Sequence, residues 1–161
     1  MTRATAKYYP SLGSVSEGTL RTEDLLDTFA YELCYHIKRM RLTREQRKRM
    51  RQLIKDATDC APDNDGEGGV EFYVDMLHEA LNEIAPPYAY FGASEGDGAS
   101  FGFGPCLGMN GDTDDLPKLP AGDAIRKHHW GEDVLLVNDH GNVDCGYVDK
   151  RGRFHAYWSI V

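Results

Sequence analysis

The Pro86-Pro87 pair divides the chain by the period of its apolar residues, and this change of period constrains the fold more than any other feature. Before the pair, apolar residues recur at three- and four-residue steps: Leu25, Leu26, Phe29, Leu33, Ile37 and Met40 in one stretch, then Val70, Val74, Leu77, Leu81 and Ile84 in another. Such spacing draws one stripe along an α-helix. After the pair, short runs rich in aromatic and β-branched residues take over, at 88–92, 100–103, 134–138, 143–148 and 154–160, and predict five strands. Asp139-His140-Gly141-Asn142 and Lys150-Arg151-Gly152-Arg153 have the residue types of tight turns and join the last three strands as hairpins. Helices followed by antiparallel strands define the α+β class, here three N-terminal helices packed on an antiparallel sheet of four to five strands.

The helix borders are written in capping chemistry. Order begins near Thr22, and a second helix opens at Thr43, where Thr43-Arg44-Glu45-Gln46 matches the S/T-x-x-E/Q box whose cap and third residue satisfy each other's backbone amides. The apolar face of this helix is thin: Met50, Leu53, Ile54 and Ala57. Residues 60–69 read as a loop, and Ala85-Pro86-Pro87 stops the third helix. Residues 1–21, with Pro10, Gly13, Gly18 and no sustained period, predict an irregular arm. Residues 22–161 then form a single α+β domain, helical over 22–85 and sheet over 86–161. With 161 residues and 41% hydrophobic content, one real core is within reach. A loop excursion is expected near 104–133. No run approaches the roughly 18–20 apolar residues of a membrane span, and the first ten residues lack the apolar centre of a signal peptide, so a cytoplasmic protein is expected. The four cysteines are far apart and predict free thiols.

Charge is divided by position. Residues 1–57 carry 12 Lys/Arg against 7 Asp/Glu (+5) and residues 58–161 carry 6 against 19 (−13), summing to the net −8. A field so polarised selects macromolecular partners by sign. Two constellations carry it. Glu67, Glu71, Asp75, Glu79 and Glu83 fall at a strict four-residue step, a row of carboxylates about 6 Å apart in rise that drifts about 40° per step. Such a row repels itself, and its functional reading is imitation of nucleic-acid phosphates in the basic groove of another protein. A solvated helix face explains it equally. Nine cations crowd residues 38–55, of which Arg44, Arg47, Lys48 and Arg51 are the candidate contacts for nucleic acid. A helix salt-bridged to the acidic body explains these as well.

Two blocks in the second half have a recognisable form: Pro86-Pro87-Tyr88-Ala89-Tyr90-Phe91-Gly92-Ala93 followed by Gly96-Asp97-Gly98 and Phe101-Gly102-Phe103, then Leu135-Leu136-Val137-Asn138-Asp139-His140-Gly141-Asn142-Val143. Over roughly residues 80–161 the chain resembles a family of small proteins of unassigned function carried by phages, plasmids and other mobile elements. It departs from that pattern at Gly104, where an aromatic residue is usual before the proline, and at Asp144-Cys145, where Thr-Leu-like residues are usual. The resemblance implies no reaction class. It implies a genomic setting in which small accessory proteins often act as anti-defence factors, anti-CRISPR or antirestriction proteins among them.

The leading expectation is therefore a non-catalytic, acidic protein that binds a host defence protein or ribonucleoprotein complex through the carboxylate row, with no cofactor and no metal. Homodimerisation through unlike-charged helices is compatible with it. Two alternatives stand beside it. One is a small nucleotide or nucleic-acid hydrolase using His140 with Asp139, Asp97 or Glu95. The other is nucleic-acid binding by the basic second helix. His128-His129 offers a weak metal motif.

Overall fold

The computed structural model describes residues 8–60, 69–107, 113–121, 125 and 127–161. The chain divides into two compact units, one of residues 1–85 and 90–104 and one of residues 86–89 and 105–161.

In the first unit the predicted helices form as α1 (Thr22–Ile37), α2 (Arg44–Thr58) and α3 (Val70–Glu83). The capping box at the start of α2 is complete: Gln46 N donates to Thr43 Oγ1 at 3.1 Å and Thr43 N donates to Gln46 Oε1 at 3.0 Å. A three-stranded sheet joins the helices, made of β1 (Gly13–Ser16), β2 (Ala89–Ser94) and β3 (Asp97–Pro105) in the order β1-β3-β2, with β1 antiparallel to β3. The core is where helix stripe and strand alternation meet. Phe29 of α1 packs edge-on against Phe91 of β2 at 5.1 Å and against Phe101 of β3 at 5.6 Å, and Phe91 meets Phe103 at 5.0 Å. Leu33, Ile37, Met50, Leu77, Leu81 and Ile84 complete it, all essentially without solvent contact. Burying six such side chains contributes about 1.5–3 kcal/mol each before chain entropy is set against it.

Two glycines of β3 are there because of close neighbours. A Cβ on Gly102 would collide with the carbonyl of Gly13 on β1. A Cβ on Gly104 would stand 2.9 Å from the ring of Tyr90, so the tyrosine occupies the space that an aromatic side chain at 104 would take.

In the second unit β4 (Lys118–Pro120), β5 (Asp133–Val137), β6 (Val143–Val148) and β7 (Phe154–Ile160) form a sheet in the order β4-β5-β6-β7. The last three are the expected meander, antiparallel with Leu135 opposite Cys145 and Cys145 opposite Trp158. Val134, Leu135, Cys145, Val148 and Trp158 are its buried residues. Both tryptophans of the chain, the half-exposed Trp130 and the buried Trp158, lie in this unit.

The α+β class holds, with three corrections. There are two sheets, of three and four strands, where one sheet of four to five was expected. The arm at 1–21 contains β1, and the excursion at 104–133 contains β4, which runs parallel to β5. Strands of four and three residues are too short to show a period, and alternation along a strand does not encode its neighbour. Among the described residues no helix is long and apolar enough to cross a membrane.

Candidate functional site

The buried stripe of α3 (Val70, Leu77, Ala80 and Leu81) turns the opposite face outward, and with it Glu71, Asp75, Glu79 and Glu83, all exposed. Glu67, the first member of the row, lies outside the described residues. Glu83 is used within the fold: it accepts from Arg49 Nη2 and, at 3.4 Å, from Gln46 Nε2, both on α2. Glu71, Asp75 and Glu79 make no ion pair with any described residue. Glu71 sits in the first turn, where the helix dipole favours an anion, but no basic residue of α3 relieves the carboxylates in the last turn. The row is thus a small net cost that the helix itself does not offset.

Beside it lie two exposed hydrophobics, Phe72 and Met76, 38% and 37% accessible. They form one wall of a groove of about 560 Å³ between α2 and α3, with Tyr73 and Leu53 also lining it and Glu45, Lys48, Arg49, Gln52 and Asp56 on the α2 side. An acidic row next to an open apolar groove is suited to a partner that presents cations and apolar anchors together.

The cations of α2, with Arg39 ahead of it, separate into two sets. Arg47 is half-buried and donates through Nη1 to the carbonyl of Ile37 and through Nη2 to that of Met40 at 2.9 Å, closing carbonyls left unpaired where α1 ends. Arg49 pairs with Glu83, and Lys55 pairs with Asp59, a contact that raises the lysine pKa. Arg39 lies 3.5 Å over the Tyr35 ring and donates to the Tyr35 carbonyl at 2.8 Å. The second set is Arg44, Lys48 and Arg51, exposed and at i, i+4, i+7 on one outer face. Three of the four candidate phosphate contacts are therefore presented, and Arg47 is held inside.

Within each unit the residues of the hydrolase alternative serve turns. Asp139 and His140 are exposed on the β5–β6 turn, where Asn138 Oδ1 accepts from the backbone N–H of His140 and of Asn142, each at 2.9 Å. This is the hydrogen bonding of a side-chain-stabilised turn, completed by Gly141 at φ +85°. Glu95 and Asp97 belong to the other unit, Glu95 on the β2–β3 turn and Asp97 at the start of β3, where its Oδ1 accepts from Ala99 N at 3.0 Å. His129 contacts Glu132 at 3.3 Å, and among the described residues no three His, Cys, Asp or Glu are grouped to hold a metal ion.

Two polar networks escaped the sequence reading. In the first unit His36 is 3% exposed, with Nε2 bonded to Glu32 Oε1 at 2.7 Å and Nδ1 to the Tyr8 hydroxyl at 2.9 Å. Burial pushes the imidazole pKa below its ordinary value, against the pull of Glu32, and burial likewise raises that of Tyr8. Both ring nitrogens are occupied, so the network ties residue 8 to α1 and leaves no nitrogen for a substrate. The i, i+4 spacing of Glu32 and His36 was a visible signal; the partner at residue 8 was not. In the second unit the buried Asp133 accepts from Tyr88 at 2.6 Å and Tyr157 at 2.8 Å, and Trp158 Nε1 donates to the Pro87 carbonyl at 2.9 Å. Tyr88 is the one non-glycine among the described residues with positive φ, +63°. The Pro-Pro-Tyr block is thus a structural latch, and the strain is held by packing around it. Cys145 lies in the same unit, its thiol pushed up to about 12 by burial and by the Asp133 charge.

No family model matches the chain, and no solved structure matches it. It is similar to sorting nexin-13 of Mus musculus, 36% identical over 76 residues that are 47% of this chain and 8% of that protein. It is similar also to sorting nexin-13 of Homo sapiens, 28% identical over 89 residues, 55% of this chain and 9% of that one. The chain spans less than a tenth of the length of these relatives.

Proposed function

We propose that this chain is a non-catalytic interaction protein that binds a basic, nucleic-acid-handling host complex through α3 and blocks it, as an anti-CRISPR-type inhibitor acting in the host cytoplasm. One observation carries it: Glu71, Asp75 and Glu79 stand exposed and unused by the fold, beside the open apolar groove of Phe72 and Met76. The resemblance of residues 80–161 to proteins of mobile elements supplies the setting. The local similarity to sorting nexin-13 covers too little of those proteins to lend an activity.

The test uses the tagged chain as bait in lysate of cells carrying CRISPR and restriction systems, beside Glu71→Gln/Asp75→Asn/Glu79→Gln. The expected result is a stoichiometric effector subunit that raised salt releases, that the triple variant fails to hold, and whose nucleic-acid binding the wild-type chain suppresses. Equal capture by the variant overturns the assignment.

A second function is favoured by the outer face of α2, where Arg44, Lys48 and Arg51 line up without a described anionic partner: direct contact with nucleic-acid phosphates. Salt-sensitive binding of a duplex or single strand, abolished in Arg44→Glu/Lys48→Glu/Arg51→Glu, distinguishes it from the first.

A further inference from the structure

Residues 58–161 carry 19 Asp/Glu against 6 Lys/Arg, and four of those cations meet around one tryptophan in the second unit. Trp130 follows the short 3-10 turn Lys127–His129 and leads into β5, and the turn between β6 and β7 folds back on it. Gly131 N donates to the Val148 carbonyl at 2.8 Å. Gly152, at φ +78°, lies so close to the indole that a Cβ there would stand 2.8 Å from Trp130 Nε1. Around this contact stand Lys127, with Nζ 5.6 Å from the centre of the Trp130 ring, and Lys150, Arg151 and Arg153, each within two residues of Gly152. All four cations are exposed. So is the ring, 36% accessible in a residue type that is highly buried on average.

The carboxylates of this corner have partners of their own. Asp149 accepts from Arg151 N, Arg153 N, Arg153 Nε and His155 Nε2 at 2.8–3.1 Å, so it is spent on the turn and on Arg153. Glu132 meets His129 at 3.3 Å, and the buried Asp133 accepts from Tyr88 and Tyr157. Asp139 lies on the β5–β6 turn, at the opposite end of the meander, and Asp114 and Asp115 precede β4, which β5 separates from β6 and β7. Lys127, Lys150 and Arg151 make no ion pair with any described residue.

We propose that this corner binds single-stranded nucleic acid, a base stacking on the indole of Trp130 while Lys127, Lys150 and Arg151 hold the phosphates beside it. An acidic peptide would use the cations and leave the exposed ring without a role. A duplex presents phosphates but keeps its base faces within the stack. A single strand offers both at once, and stacking on one aromatic ring flanked by cations is tolerant of sequence because every base has a π-face. The site belongs to the second unit and draws on neither α2 nor α3, so it is separate from both readings proposed above.

The experiment titrates the purified chain at low salt with a labelled oligothymidylate of about twelve nucleotides, reading tryptophan emission for stacking and strand anisotropy for affinity. The wild-type emission should be quenched saturably, with a Kd that rises steeply with salt. Trp130→Ala should abolish the quench and raise the Kd about tenfold, whereas Trp130→Phe, which keeps a stacking ring, should retain most of the affinity. Lys127→Glu/Lys150→Glu/Arg151→Glu should raise the Kd about tenfold or more. Unchanged emission from the buried Trp158 shows that the second unit of each variant is folded. Arg44→Glu/Lys48→Glu/Arg51→Glu on α2 should leave the quench intact, which separates this site from phosphate contact by α2. The proposal is overturned by emission that no strand concentration changes, by Trp130→Ala binding as tightly as the wild type, or by a quench that the α2 variant loses. It is overturned also if oligoglutamate or the oligothymidylate–oligoadenylate duplex competes as well as the single strand. Because no other protein is present, a negative result leaves the binding of a host target by α3 untouched.

Discussion

On α2 the Arg47 guanidinium closes the carbonyls of Ile37 and Met40, Arg49 holds Glu83, and Lys55 holds Asp59; on α3 three of the four described carboxylates of the row hold nothing. Both helices are amphipathic, both are charged on their outer faces, and counting charges would rank them alike. The difference is what each charge does for the fold. A charge with an intramolecular partner is explained by stability, whereas a row that repels itself and is kept exposed calls for an explanation outside the chain. The same distinction divides α2 internally, since Arg47 and Lys48 are neighbours in sequence and differ entirely in use.

The sharpest way to break the comparison is at Arg47. Arg47→Ala leaves two helix-end carbonyls without their donor and should lower stability by about 1–3 kcal/mol, whereas Lys48→Ala should change it by less than about 0.5 kcal/mol. Thermal denaturation of the two variants followed by circular dichroism decides this; equal melting temperatures would show that Arg47 is as dispensable as its neighbour.

Next in size is the end of α1 that Arg47 closes, where His36 is held neutral among Glu32, Tyr8, Tyr35, Arg39 and Phe103. The folded pKa lies below the unfolded value near 6.5, so the unfolded chain takes up the proton first as pH falls. Stability from this site is full above that value and is lost as pH drops below it. The melting temperature of the wild-type chain should fall from pH 7 to pH 5, and His36→Gln should flatten this slope. An unchanged slope would place the acid sensitivity elsewhere.

A smaller effect, of opposite sign, is expected on α3. Glu71→Gln/Asp75→Asn/Glu79→Gln removes three like-charge i, i+4 contacts among the described residues (71/75, 75/79 and 79/83) and should stabilise the chain by about 0.6–1.5 kcal/mol while weakening partner binding. A loss of stability on this change would mean that the row serves the fold after all. The smallest effect belongs to the pair joining the two helices. A double-mutant cycle on Arg49→Ala and Glu83→Ala should give a coupling of about 0.2–1 kcal/mol that shrinks with salt, because both side chains are substantially exposed.

Much of this was legible in the chain before any coordinates. The three helices, the capping box at Thr43, the five longer strands and the outward face of the carboxylate row follow from periods and caps, which are local. What was not legible is what depends on distant pairing. Gly13–Ser16 and Lys118–Pro120 become strands only because β3 and β5 offer them free edges. The role of Arg47 depends on where α1 stops relative to α2, and that of Gly104 on the ring of Tyr90. The turn at Asn138–Asn142 shows the converse: Asp139-His140 has the residue types of catalysis, yet its hydrogen bonds are those of a corner.

The division of the chain also sorts its spectroscopic reporters. Every α-helix of the described residues lies in the first unit and both tryptophans lie in the second, with Trp158 buried and hydrogen-bonded to Pro87. Helical ellipticity therefore follows the melting of one unit, and the emission of Trp158 follows the other. Coincident transitions would show that the two units unfold together, and separated ones would give each its own stability from a single unlabelled sample.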